Sequence, residues 1–239
     1  MKTLLAIIIC CLNISCVYAN SLIIGTSPFD PPMEMQATSN GVFTGFEIDL
    51  VNEICRRINA NCTYRAMTFA GIMSAVAKGE VDLGIDGFFI TEERKKYYLF
   101  SQPYLQTSAQ LFSAADSDID TTNINTGKRI GIEAGTVYKQ ILEAQYENIK
   151  LVAYNNQQEM LQDLVDHRID LIMFDFISAS YWVNSSQGVF KLVGEPVAFG
   201  NGYGILANIN NASLMASVNI ALNTMQRDGT YMAIYSRYF

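Results

Sequence analysis

One arginine lies where it could bind a carboxylate. Arg94 follows the end of a predicted strand and the run Thr91-Glu92-Glu93. Its planar guanidinium can hold a carboxylate through two parallel hydrogen bonds. The same residues also fit a surface arginine that pairs with Glu92 or Glu93, and most exposed arginines do no more than this. The residues alone leave both interpretations open.

Two carboxylates lie at the ends of two similar segments. Residues 81–86 and 169–175 each follow a helix-like stretch, and each is typical of a short buried strand that ends in an acid, Asp86 or Asp175. Ligands bind at the carboxyl ends of the strands in open α/β sheets. An acid at such a position is more often functional than one elsewhere. The alternative for Asp175 is a loop acid that faces water.

The sequence offers few groups for catalysis or metal binding. His167 is the only histidine, and we find no plausible Ser-His-Asp set, Cys-His pair or phosphate loop of the Walker type. Gly200, Gly202 and Gly204 lie before and within a predicted strand, so they lack the strand-then-helix context of a dinucleotide site. We therefore predict no catalytic residue, no cofactor and no metal.

The N-terminus predicts a secretory signal peptide over residues 1–19, cleaved after Ala19. Lys2 provides a positive start, residues 4–12 are apolar and residues 17–19 fit a small-residue cleavage signal. The apolar run is shorter than the roughly 20 residues that a membrane span needs. Lipoprotein cleavage at Cys16 is the alternative, but Asn13 stands where such sites normally have an aliphatic residue.

The charge of the chain argues against two classes of partner. The formal net charge is −7, and it becomes −8 once Lys2 is removed with the signal peptide. No basic run interrupts this acidic composition. Nucleic acid and anionic membrane surfaces are therefore poor partners.

The cysteines indicate a disulfide. Cleavage removes three of the five cysteines and leaves Cys55 and Cys62 in an oxidising compartment. Their separation suits a bridge from the end of a helix to the start of the next strand. A metal pair is the alternative, but no further thiol is present to complete a zinc site.

The order of helices and strands predicts two related α/β units. In the first, residues 22–26 form a strand, and residues 47–58 and 70–78 form helices, the second of which ends at Gly79. In the second, residues 129–132 repeat the opening strand, and helices follow over residues 136–146 and 157–166. Strands that alternate with helices imply mostly parallel sheets.

The C-terminal part returns to the first unit in this interpretation. Residues 203–207 predict a strand, residues 212–225 a helix, and residues 228–231 a turn into a final short helix. Crossings near residues 106–110 and 198–201 then give a first lobe of residues 20–107 and 199–239 and a second lobe of residues 108–198. Two crossings form a hinge, which allows a cleft to close on a ligand.

Five motifs in order and spacing resemble a known family. They begin at Gly45, Ile90, Gly127, Gly135 and Asp228, and read GFEIDL, ITEER, GKRIG, GT and DGTY. The chain resembles the bacterial periplasmic binding proteins for polar amino acids, solute-binding protein family 3. It looks most similar to the arginine-binding, the lysine/arginine/ornithine-binding and the histidine-binding proteins. The resemblance covers essentially the whole mature chain.

The resemblance implies a fold, a role and partners. The fold is the α/β type II periplasmic-binding-protein fold, in which a two-stranded hinge joins two α/β lobes around a ligand cleft. The role is to bind a free amino acid in the periplasm for an inner-membrane ABC permease, and we expect a monomer. Relatives also carry a disulfide at the place of Cys55 and Cys62.

The resemblance also assigns the charged ends of the ligand. Arg94 matches the arginine that binds the ligand carboxylate, and Asp175 matches the acid that accepts the ammonium. The backbone of Gly135 and Thr136 is expected to give a second carboxylate contact at a helix start, where Thr136 could also be an ordinary N-cap. Val137 and Gly87 are expected beside these contacts.

The side-chain end of the pocket departs from the family pattern. Phe29 or Asp30 stands where relatives usually have an aromatic residue, Asp86 replaces a small residue, and Phe89 replaces a group that helps to hold the ammonium. Further candidates for this end are Phe69, Tyr138 and Glu133. Asp30, Asp86 and Glu133 would make it acidic, and Phe69 and Phe29 could enclose a flat cation. A basic amino acid, and arginine first, is therefore the expected ligand.

Two other functions fit the same scaffold. Cyclohexadienyl and arogenate dehydratases resemble these binding proteins, and such an enzyme needs a proton donor, for which only Asp86 or Glu133 stands out. An extracytoplasmic amino-acid sensor would share the same binding site. The sequence identifies no partner residues on the outer surface, so it does not separate sensing from transport.

Overall fold

The computed structural model describes residues 20–37 and 41–239. The predicted signal peptide, its cleavage site after Ala19 and the alternative lipidation site at Cys16 lie outside the described residues. Within the described ranges, no helix combines the length and the apolar character needed to cross a membrane.

Two five-stranded sheets and one small three-stranded sheet form the framework. The strands, in chain order, are β1 Asn20–Thr26, β2 Phe29–Asp30, β3 Glu34–Gln36, β4 Phe43–Thr44, β5 Ala60–Ala66, β6 Leu83–Gly84, β7 Tyr98–Phe100, β8 Ser108–Ala114, β9 Lys128–Glu133, β10 Ile149–Tyr154, β11 Leu171–Asp175, β12 Phe190–Ala198 and β13 Leu206–Asn208. The α-helices are α1 Phe46–Arg57, α2 Phe69–Lys78, α3 Tyr138–Gln145, α4 Gln157–Val165, α5 Phe176–Ser185, α6 Ala212–Arg227 and α7 Thr230–Tyr235, and a 3₁₀ turn spans Arg94–Lys96.

The two large sheets repeat one plan. The first has the order β5-β1-β6-β13-β7 and the second the order β10-β9-β11-β8-β12. In each, the first three strands are parallel and the last two run antiparallel to their neighbours. β1 and β9 occupy the same place, as do β6 and β11. The prediction of two related α/β units is confirmed.

The chain contributes to the first sheet twice. Strands β1 to β7 precede the second sheet in sequence, and β13 returns to the first sheet after β12. The connections between sheets follow β7 and β12. The lobe boundaries after residue 107 and before residue 199 lie within or beside these connections and stay a prediction.

All six predicted helices are present, with ends shifted by up to two residues. α2 is capped by the hydroxyl of Thr68 and ends at Gly79, whose φ of 71° is left-handed as expected for a glycine stop. The helix predicted from Thr136 begins at Tyr138 instead, because the Thr136 hydroxyl and N–H both donate to the carbonyl of Glu133 and form a turn there. The strand predicted over residues 203–207 is present but begins later, as β13 at Leu206, and Tyr203 forms isolated β-bridges to Phe89 and Leu105.

One disulfide is formed in the first lobe. It joins Cys55 on α1 to Cys62 on β5, with the Cα atoms 6.2 Å apart. This confirms the predicted bridge from a helix end to the next strand. In the entropy model a loop this short contributes at most about 3 kcal/mol to stability.

The start of α1 is packed closely against the small sheet. Gly45 precedes the helix with a φ of 135°, and a Cβ atom there would lie 2.2 Å from the carbonyl oxygen of Met33. Only glycine permits this approach. It places Glu47, in the first turn of α1, in the interior of the lobe with no exposed surface.

Candidate ligand-binding cleft

Arg94 connects the two lobes. Its Nη1 donates to the carbonyl of Phe89 in the first lobe, and its Nη2 donates to the carbonyl of Gly135 in the loop after β9, both at 3.1 Å. The guanidinium also lies 5.4 Å from the ring centroid of Phe69. The residue is only 8% exposed. Arg94 therefore lies inside the cleft rather than on the surface.

Arg94 has no acidic partner within the described part of the chain. The described ion pairs do not include it, and Glu92 pairs with Lys95 at 2.7 Å instead. The structure thus gives no support to the surface pairing with Glu92 or Glu93. Burial lowers the pKa of Arg94 to about 10, so it stays charged at neutral pH. A buried cation without an anion is costly, and an anionic ligand group would offset that cost.

Asp175 is an N-cap as well as the last residue of β11. Its Oδ1 accepts hydrogen bonds from the N–H groups of Ile177, at 2.8 Å, and Ser178, at 3.0 Å, at the start of α5. The nearby hydroxyl of Tyr203 also favours the negative charge of Asp175. Burial raises the pKa of Asp175, and these hydrogen bonds oppose that rise. Asp175 is 4% exposed, so it is not a loop acid that faces water.

The loop from Glu133 to Tyr138 meets the first lobe at Gly135. A Cβ atom on Gly135 would lie 3.0 Å from the Cβ of Ala70 on α2. Because α3 starts only at Tyr138, Thr136 is not its N-cap, and the N–H of Thr136 donates weakly to Glu133 at 3.3 Å. The predicted role of this loop as the start of a helix is corrected to a turn that precedes the helix.

The three acids predicted for the side-chain end come from both lobes, and all are buried. Asp30 is 6% exposed, Asp86 is 3% and Glu133 is 7%. Asp30 accepts a hydrogen bond from the hydroxyl of Ser178 at 3.0 Å, and Glu133 accepts one from Gln157 at 3.1 Å. We call Asp30, Asp86 and Glu133 the pocket acids.

The pocket acids influence one another. Burial raises the pKa of Asp30 well above its usual range, and the charges of Asp175, Asp86 and Glu133 raise it further. Burial likewise raises the pKa of Asp86 well above its usual range and that of Glu133 to about 7. Carboxylate oxygens of Asp30 and Asp86 lie within 4.8 Å of each other, so these two acids can face one cation.

Two cavities lie between the lobes beside this site. One, of about 750 Å³, is lined by Arg94, Gly135, Thr136 and Val137 among others. The other, of about 300 Å³, is lined by Phe29 and Glu133 together with loop residues of both lobes. The cleft therefore has one end with the buried arginine and another end with a pocket acid.

The two aromatic residues predicted to enclose the ligand side chain, Phe69 and Phe29, lie in different parts of the cleft. Phe69 lies beside Arg94 and packs on Phe88, with ring centroids 4.6 Å apart. Phe29 packs on Trp182 of α5 at 5.8 Å. Both Phe88 and Phe89 are buried, at 0% and 2% exposure.

Phe89 lies in an aromatic cluster. Its ring meets those of Tyr203 at 4.9 Å and Tyr138 at 6.4 Å, both edge to face. The ring offers no hydrogen bond to an ammonium. Gly87, just before this pair of phenylalanines, donates its N–H to Glu47 at 3.0 Å and faces Tyr203.

The sequence did not reveal four polar residues of this region: Glu34, Glu47, Ser178 and Tyr203. Glu34 and Glu47 are acids with no exposed surface. Acids are seldom fully buried without a partner, so sequence alone favours an exposed position for both. Glu34 lies two residues after Pro32 and Glu47 two residues after Gly45, and neither local sequence indicates that the two acids meet.

Comparisons with known proteins agree with this geometry. A model of the family described as bacterial extracellular solute-binding proteins, family 3, matches residues 22–239. An arginine-binding periplasmic protein of Mannheimia haemolytica is 32% identical over 240 residues, which cover 99% of this chain and 98% of the relative.

Solved structures extend the likeness to the fold. The crystal structure of an arginine 3rd transport system periplasmic binding protein from Legionella pneumophila has a TM-score of 0.88 and 38% identity, over 92% of this chain and 100% of that chain. An ancestral arginine-binding protein bound to arginine has a TM-score of 0.85 and 32% identity, over 92% and 98%. These likenesses confirm the two-lobed type II fold. The chain belongs to family 3 of the bacterial extracellular solute-binding proteins.

Proposed function

We propose that this protein binds a free basic L-amino acid, with arginine as the preferred ligand, between its two lobes. The observation that carries the proposal is the distribution of buried charge. One arginine is buried between the lobes with no acidic partner among the described residues, and Asp30, Asp86, Glu133 and Asp175 are buried acids whose charges act on one another. A ligand with one carboxylate and two cationic groups complements this arrangement.

Arg94 is suited to the ligand carboxylate. A guanidinium has five N–H donors in one plane, and the two hydrogen bonds to Phe89 and Gly135 leave donors for an anion. Because those two carbonyls lie on different lobes, the side chain is already oriented across the cleft. A carboxylate bound here would join the lobes through Arg94.

Asp175 is suited to the ligand ammonium. The α5 N–H groups fix its orientation and favour its negative charge. Phe89 contributes no polar group at the matching place in the first lobe. The ammonium therefore depends on Asp175 more than it would with a polar residue at position 89.

The pocket acids favour a guanidinium over other side chains. Its planar set of donors can reach several carboxylates at once, whereas an ammonium is a compact point charge. Lysine, ornithine and histidine satisfy the same acids less completely. Two of the relatives described above are named as arginine-binding proteins and the third as a binding protein of an arginine transport system, which supports arginine as the preferred ligand.

We further propose that the mature protein is a periplasmic monomer that delivers its ligand to an inner-membrane ABC permease. The name of the Mannheimia relative, a periplasmic protein, supports the compartment. Contacts from both lobes to one ligand would stabilise the closed state selectively. A permease that recognises the closed state would then respond to the loaded protein.

A thermal-shift screen of the ligand-free protein across the twenty amino acids tests the ligand, because binding to the native state raises its apparent stability. We expect L-arginine to give the largest shift and calorimetry to show one site. Arg94→Ala should abolish binding, and Arg94→Lys should weaken it, because lysine retains the charge without the planar fork. Arg56→Ala is the control, since the Arg56 side chain is 69% exposed.

Two results would contradict the proposal. Unchanged arginine affinity in Arg94→Ala would remove the assigned carboxylate site. A shift produced only by prephenate or arogenate, with product released, would replace binding by dehydratase activity.

A further inference from the structure

A chain of buried acids extends from the cleft into the first lobe. Asp86 lies at the cleft, Glu34 on β3 lies next to it, and Glu47 on α1 lies beyond. Carboxylate oxygens of Asp30, Glu34 and Asp86 lie within 4.8 Å of one another. We call Asp86, Glu34 and Glu47 the acid chain.

Each member of the acid chain has one buried oxygen that receives no hydrogen bond from a described donor. These atoms are Asp86 Oδ2, Glu34 Oε2 and Glu47 Oε2. The opposite oxygens of Glu34 and Glu47 are bonded: Ser27 donates to Glu34 Oε1 at 3.0 Å, and Tyr104 and Gly87 both donate to Glu47 Oε1. Glu34 has no exposed surface, so bulk water does not solvate it.

Protonation of one acid would remove one buried negative charge and would also provide a hydrogen-bond donor for an unbonded oxygen. Adjacent carboxylates in a low-dielectric site cannot all ionise without a large cost. A carboxylic acid in the middle of the chain donates a hydrogen bond to its neighbour and removes one charge. Glu34 occupies that middle position.

The groups that face this cluster are almost all acidic or neutral. They come from every element packed around it: Asp30 on β2, Glu34 on β3, Glu47 on α1, Asp86 after β6, Tyr104 after β7, Glu133 on β9, Tyr138 on α3, Asp175 at the start of α5, and Tyr203 before β13. The cation in the same cleft is Arg94, whose guanidinium is engaged by Phe89 and Gly135.

We propose that Glu34 is a carboxylic acid in the ligand-free protein, donates its proton to a hydrogen bond with Asp86, and makes arginine binding proton-coupled. When a cationic side chain reaches Asp30 and Asp86, about one proton leaves the acid chain for solvent. No covalent bond other than O–H changes. This inference rests on the proposed function for its ligand, and it adds a proton site that lies behind the pocket.

The pKa directions agree with Glu34 as the donor. Burial raises the pKa of Glu34 well above its usual range, the charges of Glu47 and Asp86 raise it further, and so does the hydrogen bond to Asp86. Burial raises the pKa of Asp86 too, but there the hydrogen bond from Glu34 acts in the opposite direction. At Glu47, hydrogen bonds from Tyr104 and Gly87 oppose the effect of burial, which still raises the pKa to about 7.

Proton release makes arginine affinity depend on pH. A ligand cation lowers the pKa of nearby acids, so a complex contains fewer protons than the free protein near neutral pH. By linkage, the Kd for arginine then falls as the pH rises, by up to about tenfold per pH unit for one released proton. Binding that exchanged no proton would show no such slope.

Calorimetry in phosphate and in Tris, which differ in ionisation enthalpy, counts the protons directly. We expect wild-type protein to release about one proton per L-arginine near neutral pH. Glu34→Gln should still bind arginine but release at least several-fold fewer protons, because the amide can donate to Asp86 but cannot ionise. Glu195→Gln, at an exposed position, should behave as wild type.

Each contrary result has a distinct meaning. Arginine binding without proton release in wild-type protein, or unchanged release in Glu34→Gln, overturns the proton site while the proposed function stands. A divalent cation such as Ca²⁺ that raises the melting temperature of wild-type protein but not of Glu34→Gln also overturns it, because the acids would then form a metal site.

A second measurement is independent of any ligand. If arginine produces no heat at any pH, the proposed function fails, and the proton on Glu34 is tested by thermal unfolding of the ligand-free protein between pH 6 and 8. We expect wild-type protein to lose more stability than Glu34→Gln over this interval, since only the acid can ionise. Equal losses would overturn the assignment.

Discussion

Asp30 and Ser178 join the two lobes through a hydrogen bond of 3.0 Å from the Ser178 hydroxyl to the Asp30 carboxylate. The N–H of the same serine donates to Asp175 at 3.0 Å. Ser178 therefore binds one acid of each lobe at the start of α5. The N-terminal end of a helix favours negative charge, and this helps two carboxylates to lie close together.

Replacement of Ser178 by alanine removes the contact to Asp30 but leaves the backbone contact to Asp175. Asp30 would lose a donor while it stays buried, which costs about 1–3 kcal/mol for a buried polar group. We expect a lower melting temperature and weaker arginine binding, measured by thermal unfolding and calorimetry. Ser185→Ala, at the exposed end of the same helix, should change neither. Equal behaviour of the two variants would show that the Asp30 contact does not stabilise the closed cleft.

Asp175→Asn separates the capping role of Asp175 from its charge. Asparagine is as good an N-cap as aspartate, so α5 should remain capped through Oδ1 and the free energy of unfolding should change by less than about 1 kcal/mol. The variant loses the negative charge assigned to the ligand ammonium. We expect its Kd for arginine to rise by about 100-fold, in line with the loss of one partner of a buried charge pair.

Asp175→Ala completes that comparison. It should lose both the affinity and about 1 kcal/mol of stability, because alanine cannot cap the helix. Calorimetry and chemical denaturation measure the two effects separately. Retained arginine affinity in Asp175→Asn would place the ammonium elsewhere in the cleft.

The sequence predicted those parts of the fold that depend on local patterns. The apolar spacing from Ile48 to Ile58 predicts α1 because one helix face repeats every three to four residues, and the structure has α1 over Phe46–Arg57. Helix α5 was missed, since Asp175 was interpreted only as a strand end. Its sequence also has no continuous apolar stripe, and Ser178 and Ala179 are its buried residues.

The acid chain was beyond sequence reasoning for a different reason. Glu34, Glu47 and Asp86 come from a short strand, a helix and a loop, and nothing local to each indicates that they meet. Their contact depends on long-range packing, including the approach that Gly45 permits.

Arg94, by contrast, could be identified from the sequence because it ends the motif of residues 90–94. Its cross-cleft bond to Gly135 could not be predicted, since that bond depends on how the lobes close.

The ligand-free protein should lose stability as the pH rises through about 7. Burial raises the pKa of Glu47 and Glu133 to about 7 in the folded state, above the value of about 4.3 in an unfolded chain. The folded state therefore binds more protons in this window, and the stability from these groups, complete below about pH 4, disappears as they ionise.

Other acids have the opposite dependence at low pH. Hydrogen bonds from Arg56 and Arg57 lower the pKa of Glu53 to about 2, so its contribution is present above about pH 4.3 and is lost as the pH falls towards 2. For these groups, the two effects together place the maximum stability between about pH 4 and 5. Thermal unfolding between pH 4 and 8 measures this. Glu133→Gln should lose less stability than wild type from pH 6 to 8, and a stability that rises over that interval would contradict the raised pKa values.

Asp30→Asn tests whether the pocket acids select a cationic side chain. Asparagine can still accept the hydrogen bond from Ser178 through Oδ1, so the link between the lobes should remain. The variant has lost one of the charges that would face a guanidinium. We expect arginine to bind about 10- to 100-fold more weakly, as for the loss of a charge-assisted hydrogen bond.

Citrulline has a side chain of nearly the same shape as arginine but without the charge, so its affinity should change little. The ratio of the two Kd values is the measurement. A parallel loss for both ligands would mean that Asp30 acts through the structure of the cleft and not through its charge. Asp118→Asn, an exposed substitution in the second lobe, controls for the change in net charge alone.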